Sequence, residues 1–462
     1  EEHSCLERKD ILKRKKSSCM MQVSTTKSIP LIQGGLYMNR NMNNRINQVD
    51  ENTLVIGIDI AKKLHYACAM DDRGRVLKKS FGLSQDLEGF QKLLTEIQAL
   101  MSQFAKSQVV VGFEPTGHYW MNLSAFLVEA EIPFVMVNPM HVNRTKELDD
   151  NSQTKNDKKD ARVIASLIRD GRFSFPRILQ GVDAELRTGN NNRKALKKEM
   201  VAIQNRMIRW IDIYFPEFST IFKSFGKVAC ELLEHTPFPS DLTRISEAEM
   251  IQIYEDNPAV HTVPKKKLIL LREKASVSIG VRESQETARF EIRRLVRNYK
   301  QCLQDLEVLE ERLIDLAKQL PDFEYITSIR GIGENTAVEI LAEVGPLSNY
   351  QHPEQIKKLA GLSLRENSSG QHTGKKSITK RGRSSLRATL YKTILPLISN
   401  NKTFRELYDY YTKRQDNPLK NKQAMVVLCG KLIKIIHALC TKRRQFDAEK
   451  MMRDIHSLLP AA

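Results

Sequence analysis

Two apolar runs, Thr53-Leu-Val-Ile-Gly-Ile-Asp59 and Ser107-Gln-Val-Val-Val-Gly-Phe-Glu114, each end on a carboxylate. Aliphatic residues at nearly every position, with β-branched residues prominent, predict strands buried inside an α/β sheet rather than half-exposed ones. Such a sheet does not bury a lone carboxylate cheaply, so an acid at the carboxyl edge of a strand points to chemistry or to a cation.

A second pair of acids lies downstream. Lys155-Asn-Asp-Lys-Lys-Asp-Ala-Arg162 runs into Val163-Ile-Ala-Ser-Leu-Ile168, and Ala161, Ile164, Ala165 and Ile168 recur at helical spacing. Asp157 and Asp160, three apart, therefore project from one face of a first turn. Alone, an acidic first turn is ordinary helix punctuation. Joined to Asp59 and Glu114, it forms a candidate two-metal cage of the kind that clamps attacking and leaving oxygens in phosphoryl transfer.

The chain around these acids has a definite order. Residues 1–52 are polar, carry the basic run Lys13-Arg-Lys-Lys16 and lack periodicity, which predicts a disordered basic tail. After the Asp59 strand, Leu64–Met70 and Arg75–Phe81 flank an Asp/Gly turn and predict a hairpin. A helix over 86–104, the Glu114 strand, a helix over 120–130 and a strand over 134–138 follow. Three antiparallel strands and then α/β units is the order of a ribonuclease-H-like or RuvC-like nuclease fold, assigned to residues 53–180.

Over residues 181–320, Leu196, Met200, Ile203, Met207, Trp210 and Tyr214 recur by fours and threes. Ile292, Leu295, Tyr299, Cys302, Leu306, Leu309, Leu313, Leu316 and Leu320 continue that spacing after a Pro-interrupted helical insertion. This predicts a mostly α-helical coiled-coil region. Its seam is expected to pair at least two copies through Ile292–Leu320, unless the two arms pack on each other within one chain.

Residues 321–462 read as an α-helical C-terminal domain. Gly331-Ile-Gly333 between two helical segments has helix-hairpin-helix grammar, in which backbone amides approach a phosphate; a plain helical turn also uses glycine. No acid occurs between Glu366 and Glu406. Lys375, Lys376, Lys380, Arg381, Arg383 and Arg387 in that interval form a candidate phosphate-facing surface around Ser368-Ser-Gly370.

Composition narrows the partners. A chain of 462 residues has room for two or three domains, and a net charge of +18 with pI ≈ 9.5 points to a polyanion, nucleic acid first. The seven cysteines are scattered with no C-x-x-C pair, which fits a reducing compartment. With no signal-like segment and no apolar run approaching ~20 residues, a cytoplasmic protein without a membrane partner is expected.

The assembled motifs resemble those of the DEDD transposases and recombinases of bacterial insertion sequences, the group that recombines DNA under a bridge RNA. They are Gly57-Ile-Asp-Ile-Ala-Lys62, Glu114-Pro-Thr-Gly-His-Tyr119, Val137-Asn-Pro139, Lys155–Ala161, Gly331-Ile-Gly333, Ala360-Gly-Leu362, Ser369-Gly370 and Ile378-Thr-Lys-Arg-Gly382. The resemblance implies an N-terminal RuvC-like domain and a C-terminal serine transposase domain. It assigns the four acids to Asp59, Glu114, Asp157 and Asp160, holding Mg2+ or alternatively Mn2+. It places the nucleophile at Ser369, with Ser368 in reserve, and implies a phosphoserine link to DNA. Donor and target double-stranded DNA, a guide RNA and a homodimer or tetramer with a site composed in trans complete the expectation. Leu364, where the family often has proline, and Ala61, where it often has serine, depart from the pattern without touching a proposed catalytic atom. Two rival classes remain: a metal-dependent junction resolvase or nuclease with no covalent intermediate, and a DNA-binding scaffold.

Overall fold

The chain divides into two compact units, Glu1–Ile178 and Leu179–Ala462. The computed structural model describes residues 42–115, 117–149, 157–255, 264–365, 368–369, 372–373 and 377–456. The expected tail thus lies outside the described residues up to residue 41.

In the first unit, helix α1 (Met42–Ile46) precedes β1 (Thr53–Asp59), β2 (Leu64–Met70) and β3 (Val76–Ser84). Then follow α2 (Leu87–Gln103), β4 (Gln108–Phe113), α3 (Trp120–Glu129), β5 (Phe134–Val137), α4 (Pro139–Asp149), α5 (Asp157–Arg169) and β6 (Phe173–Ser174). One sheet runs β3-β2-β1-β4-β5-β6. The first three strands form the expected antiparallel meander, β1, β4 and β5 are mutually parallel, and β6 returns antiparallel.

Local chemistry explains these elements. Asp71 Oδ1 accepts from the main-chain N–H groups of Arg73 (3.0 Å) and Arg75 (2.7 Å), and Gly74 supplies φ +89, so the β2–β3 turn closes as an Asx-type turn. Asp86 caps α2 by accepting from Gly89 N at 2.8 Å. On β1, Leu54, Ile56 and Ile58 enter the cluster with Phe90, Leu93 and Ile97 of α2, while Val55 enters the opposite cluster with Ile164, Ala165 and Ile168 of α5. Burial on both faces is why the run is apolar without alternation.

The fold takes in part of the stretch expected to be a tail. Residues 42–52 belong to the fold: Arg45 Nη1 donates to Phe173 O at 2.6 Å, and Ile46 packs beside Gly171. Polar composition concealed this segment because it is held by an arginine-to-carbonyl bond rather than by apolar periodicity. Helix α4 starts where proline closes β5. Asn138 accepts from Met140 N through Oδ1 at 2.9 Å, and Pro139 occupies the first turn, where its missing N–H costs nothing.

The second unit begins with α6 (Gly181–Tyr214), α7 (Phe218–Ile221), α8 (Lys227–His235), α9 (Pro239–Arg244), α10 (Glu247–Glu255), α11 (Lys265–Ser276) and α12 (Gln285–Lys318). The 34-residue helices α6 and α12 pack antiparallel within the chain. Trp210 Nε1 donates to Ala288 O at 2.9 Å, Gln204 Nε2 to Tyr299 Oη at 3.1 Å, and Arg193 Nε to Glu310 at 2.6 Å. The heptad pattern therefore finds its partner in the same chain. The apolar seam expected to pair two copies is filled from within, so no assembly argument rests on it. The helices of the insertion share one core with the Ile203–Phe215 end of α6 and the Ala288–Cys302 part of α12.

The remainder comprises α13 (Pro321–Thr327), α14 (Glu334–Val344), α15 (Pro353–Leu359), four two-residue strands and four helices. The strands are β7 (Leu364–Arg365), β8 (Ser368–Ser369), β9 (His372–Thr373) and β10 (Ser377–Ile378); the helices are α16 (Ser384–Asn400), α17 (Lys402–Lys413), α18 (Asn421–Lys442) and α19 (Ala448–His456). Helix α18 is long and apolar enough to cross a membrane, yet Leu428, Leu432, Ile433 and Ile436 lie in the core with Leu341, Leu390 and Phe404. Core burial accounts for its composition. Buried Arg193 ties α6 to Glu310 of α12 and Glu339 of α14, which fixes the helical pair to this C-terminal core.

Candidate functional site

The geometry starts from Gly57. A Cβ there would stand 2.3 Å from Ala165 N and 2.4 Å from Ala161 O, so α5 lies directly on the β1 backbone. Only glycine on the strand and small residues on the helix allow that approach. It brings the first turn of α5 toward the end of β1 that carries Asp59.

Beside β1, parallel β4 pairs Ile58 with Phe113. Asp59 is the last residue of β1 and Glu114 follows the last residue of β4, so the two acids stand at the ends of adjacent parallel strands. Both are half-buried. Asp160, in the first turn of α5, is 6% exposed, and its Oδ2 is paired with Lys146 Nζ from α4. Asp157 opens α5 one turn earlier. Its backbone alone is described.

Among the described residues no three His, Cys, Asp or Glu side chains form a group that could hold a metal ion, and Asp157 stands outside that comparison. Asp160 already has a cation partner in the Lys146 ammonium. The donor set nevertheless fits a hard divalent cation: every candidate ligand is a carboxylate, the strand acids are neighbours, and both sit at the sheet edge that α5 approaches. Asp59, Glu114, Asp157 and Asp160 are the residues that would hold it.

Sequence periodicity missed two residues that build this site. Gly57 in a strand interior opposite an Ala-x-x-x-Ala helix was the available signal. Lys146 had none, since its role depends on how α4 folds back. Gly57→Ala is expected to destabilise the protein by about 1–3 kcal/mol, because the obstructing atoms are main chain and cannot rotate away. Thermal melting checks this; a wild-type melting temperature would show that the contact is not a constraint.

The second unit carries the remaining candidates. Ser368 and Ser369 form β8, not a free turn, and pair with Thr373 and His372 respectively. Side chains of these four residues, and Gly370, Lys375 and Lys376 altogether, lie outside the described residues. Gly331 has φ +105 and precedes Gly333, the N-terminal cap of α14. A Cβ at Gly331 would meet Leu397 of α16 at 3.1 Å, while Gly333 borders open space. Lys380, with φ +53, and Arg381 are exposed. Arg383 and Arg387 are half-buried: Arg383 Nη1 donates to Glu343 O at 2.6 Å and Arg387 Nη1 to Ala360 O at 2.9 Å. These two arginines therefore also hold the fold, which a phosphate-facing role alone would not require.

Comparison with known proteins adds an independent finding. Residues 56–216 match a DEDD transposase family of the IS110 type, and residues 323–409 match the family described as Transposase IS116/IS110/IS902. The transposase for insertion sequence element IS1111A of Coxiella burnetii is 23% identical over 394 residues, covering 85% of this chain and 91% of the relative. An IS116 protein of 44.8 kDa from Streptomyces clavuligerus is 25% identical, covering 85% of this chain and 95% of its own. The pilin gene-inverting protein of Moraxella lacunata is 22% identical, covering 85% and 97%.

Proposed function

Because the chain belongs to the IS110/IS116/IS902 family of transposases, enzymes acting on DNA, we propose that it moves an insertion sequence by RNA-guided recombination through a phosphoserine intermediate. The observation that carries the proposal is the placing of Asp59 and Glu114 at the ends of adjacent parallel strands, on the side approached by the acidic first turn of α5. That arrangement supports a RuvC-like reading of residues 53–180. The gene-inverting relatives support recombination rather than simple cutting.

In this mechanism Ser369 Oγ attacks a DNA phosphorus atom. An Oγ–P bond forms, the bond to one deoxyribose oxygen breaks, the serine proton leaves to a base and the departing hydroxyl takes a proton. Attack by a hydroxyl of the exchanged strand then reverses these bonds and frees the serine. A bound Mg2+, or Mn2+ in its place, would supply charge neutralisation at the phosphate. Asp59, Glu114, Asp157 and Asp160 would hold that ion. Gly331, Gly333, Lys375, Lys376, Lys380, Arg381, Arg383 and Arg387 contribute to DNA and RNA backbone binding, with Gly331 and Gly333 in a helix-hairpin-helix role. The acids of one copy and the serine of another act together in a dimer or tetramer. Guide RNA reads donor and target sequence by base pairing, and the protein reads backbone and shape.

Purified protein, Mg2+, labelled donor and target duplexes, and RNA transcribed from the noncoding flank of the element test the whole reading. Recombinant junctions should form only with the cognate RNA. Equal junction yield without RNA would remove the guide from the mechanism, and cut product without any junction would replace recombination by nuclease action.

A further inference from the structure

His65 is fully buried on β2, at 0% exposure, in a strand whose other core positions are Ala67, Cys68, Ala69 and Met70. A buried imidazole needs partners, and here they lie on two different loops. Nδ1 accepts from the main-chain N–H of Ala61 at 3.1 Å. Nε2 meets Oε1 of Gln85, and Gln85 Nε2 donates to Tyr119 O at 2.9 Å. Gln85 also donates its main-chain N–H to Lys63 O at 3.0 Å.

These bonds have one consistent direction. Nδ1 must be bare to accept from Ala61, so Nε2 carries the hydrogen and donates to Oε1, and the Gln85 amide then points its NH2 at the Tyr119 carbonyl. Burial pushes His65 below its ordinary pKa of 6.5, which keeps this neutral tautomer at pH 7. Stacking on Phe90, with ring centroids 6.2 Å apart and planes 15° from parallel, holds the imidazole plane.

The relay's ends are informative. Ala61 is two residues beyond Asp59, and Tyr119 is five beyond Glu114. Asp59 ends β1, where it pairs with Tyr66 of β2, whereas Glu114 lies one residue beyond β4, so its place beside Asp59 depends also on what ties the loop that follows it to the loop after β1. We propose that His65 and Gln85 are positioning residues that lock the loop behind Asp59 to the loop behind Glu114, setting these carboxylates at the separation that binds one divalent cation. The inference rests on the reading of the acids as cation ligands. Neither side chain is a ligand itself; each acts through the loops, as partners behind metal ligands do elsewhere.

Mn2+ titration of the full-length protein without nucleic acid, read by electron paramagnetic resonance of the free ion, tests the relay apart from catalysis. Wild type should bind tightly and Asp59→Asn should lose that binding. His65→Leu and Gln85→Leu should each weaken Mn2+ roughly 10- to 100-fold. The double variant should be no weaker than the worse single, because either change breaks the same chain of bonds. His65→Asn, whose Oδ1 replaces Nδ1 as acceptor for Ala61, should recover part of the affinity. Should His65→Leu fail to fold, Gln85→Leu carries the test alone, since Gln85 is only half-buried. Wild-type Mn2+ affinity in variants with lowered melting temperatures would overturn the relay and leave the acids' role standing. Absence of tight Mn2+ binding in wild type would instead remove the cation reading and this inference with it.

Discussion

Alanine at Asp59, Glu114, Asp157 or Asp160 is expected to lower strand transfer by roughly 10²- to 10⁴-fold, the rate equivalent of several kcal/mol of lost charge stabilisation. Folding should survive. Asp59 and Glu114 are half-buried at the sheet edge, so truncating either opens no core cavity. Asp160→Ala differs, because it also removes the partner of Lys146, whose side chain is 29% exposed and can turn to water. A loss of about 1 kcal/mol is expected there. Circular-dichroism melts and junction formation, measured on all four variants, separate the two effects. Full recombination in any two of the variants would mean that the four acids do not work as one site.

Apolar patterning made the first unit legible where burial alone decides structure. β1 and β4 read correctly because both faces are covered, and α2 read correctly because its core face repeats Phe90, Leu93, Ile97 and Leu100. Patterning gave no access to features set by single long-range contacts. The place of α1 depends on Arg45 reaching Phe173, and the neutralisation of Asp160 depends on α4 delivering Lys146. Likewise, heptads specify that a helix needs a partner but not whose helix it is; Gly189 against Leu313 and Trp210 against Ala288 place that partner in the same chain. The polar base of that pair also hid from periodicity. Arg193 is 4% exposed and satisfied by two carboxylates, so a position that reads as surface is core.

The same limit applies to the acids. Asp59 and Glu114 stood out as charges at the ends of apolar strands, and α5 brings Asp157 and Asp160 toward them only because Gly57, Ala161 and Ala165 lack bulk. Spacing identified the carboxylates, whereas the lack of bulk at Gly57, Ala161 and Ala165 sets how near α5 comes to β1. Lys146 pairs with Asp160.

Ser369→Ala is expected to leave DNA and guide-RNA binding unchanged and to trap no covalent protein–DNA species. Ser369 stands directly before Gly370 in a stretch without acids between Glu366 and Glu406, where Lys375, Lys376, Lys380 and Arg381 would draw a phosphate. A serine hydroxyl is a weak nucleophile at neutral pH and needs a base or a metal to take its proton. Ser368→Ala should stay near wild type. The assay incubates each protein with Mg2+, guide RNA and end-labelled donor, denatures it, and asks whether label migrates with protein. Loss of the adduct in Ser368→Ala with full retention in Ser369→Ala would exchange the two assignments. Free cut product at wild-type yield from both variants would mean that water, not serine, attacks the phosphate, and the enzyme would be a nuclease.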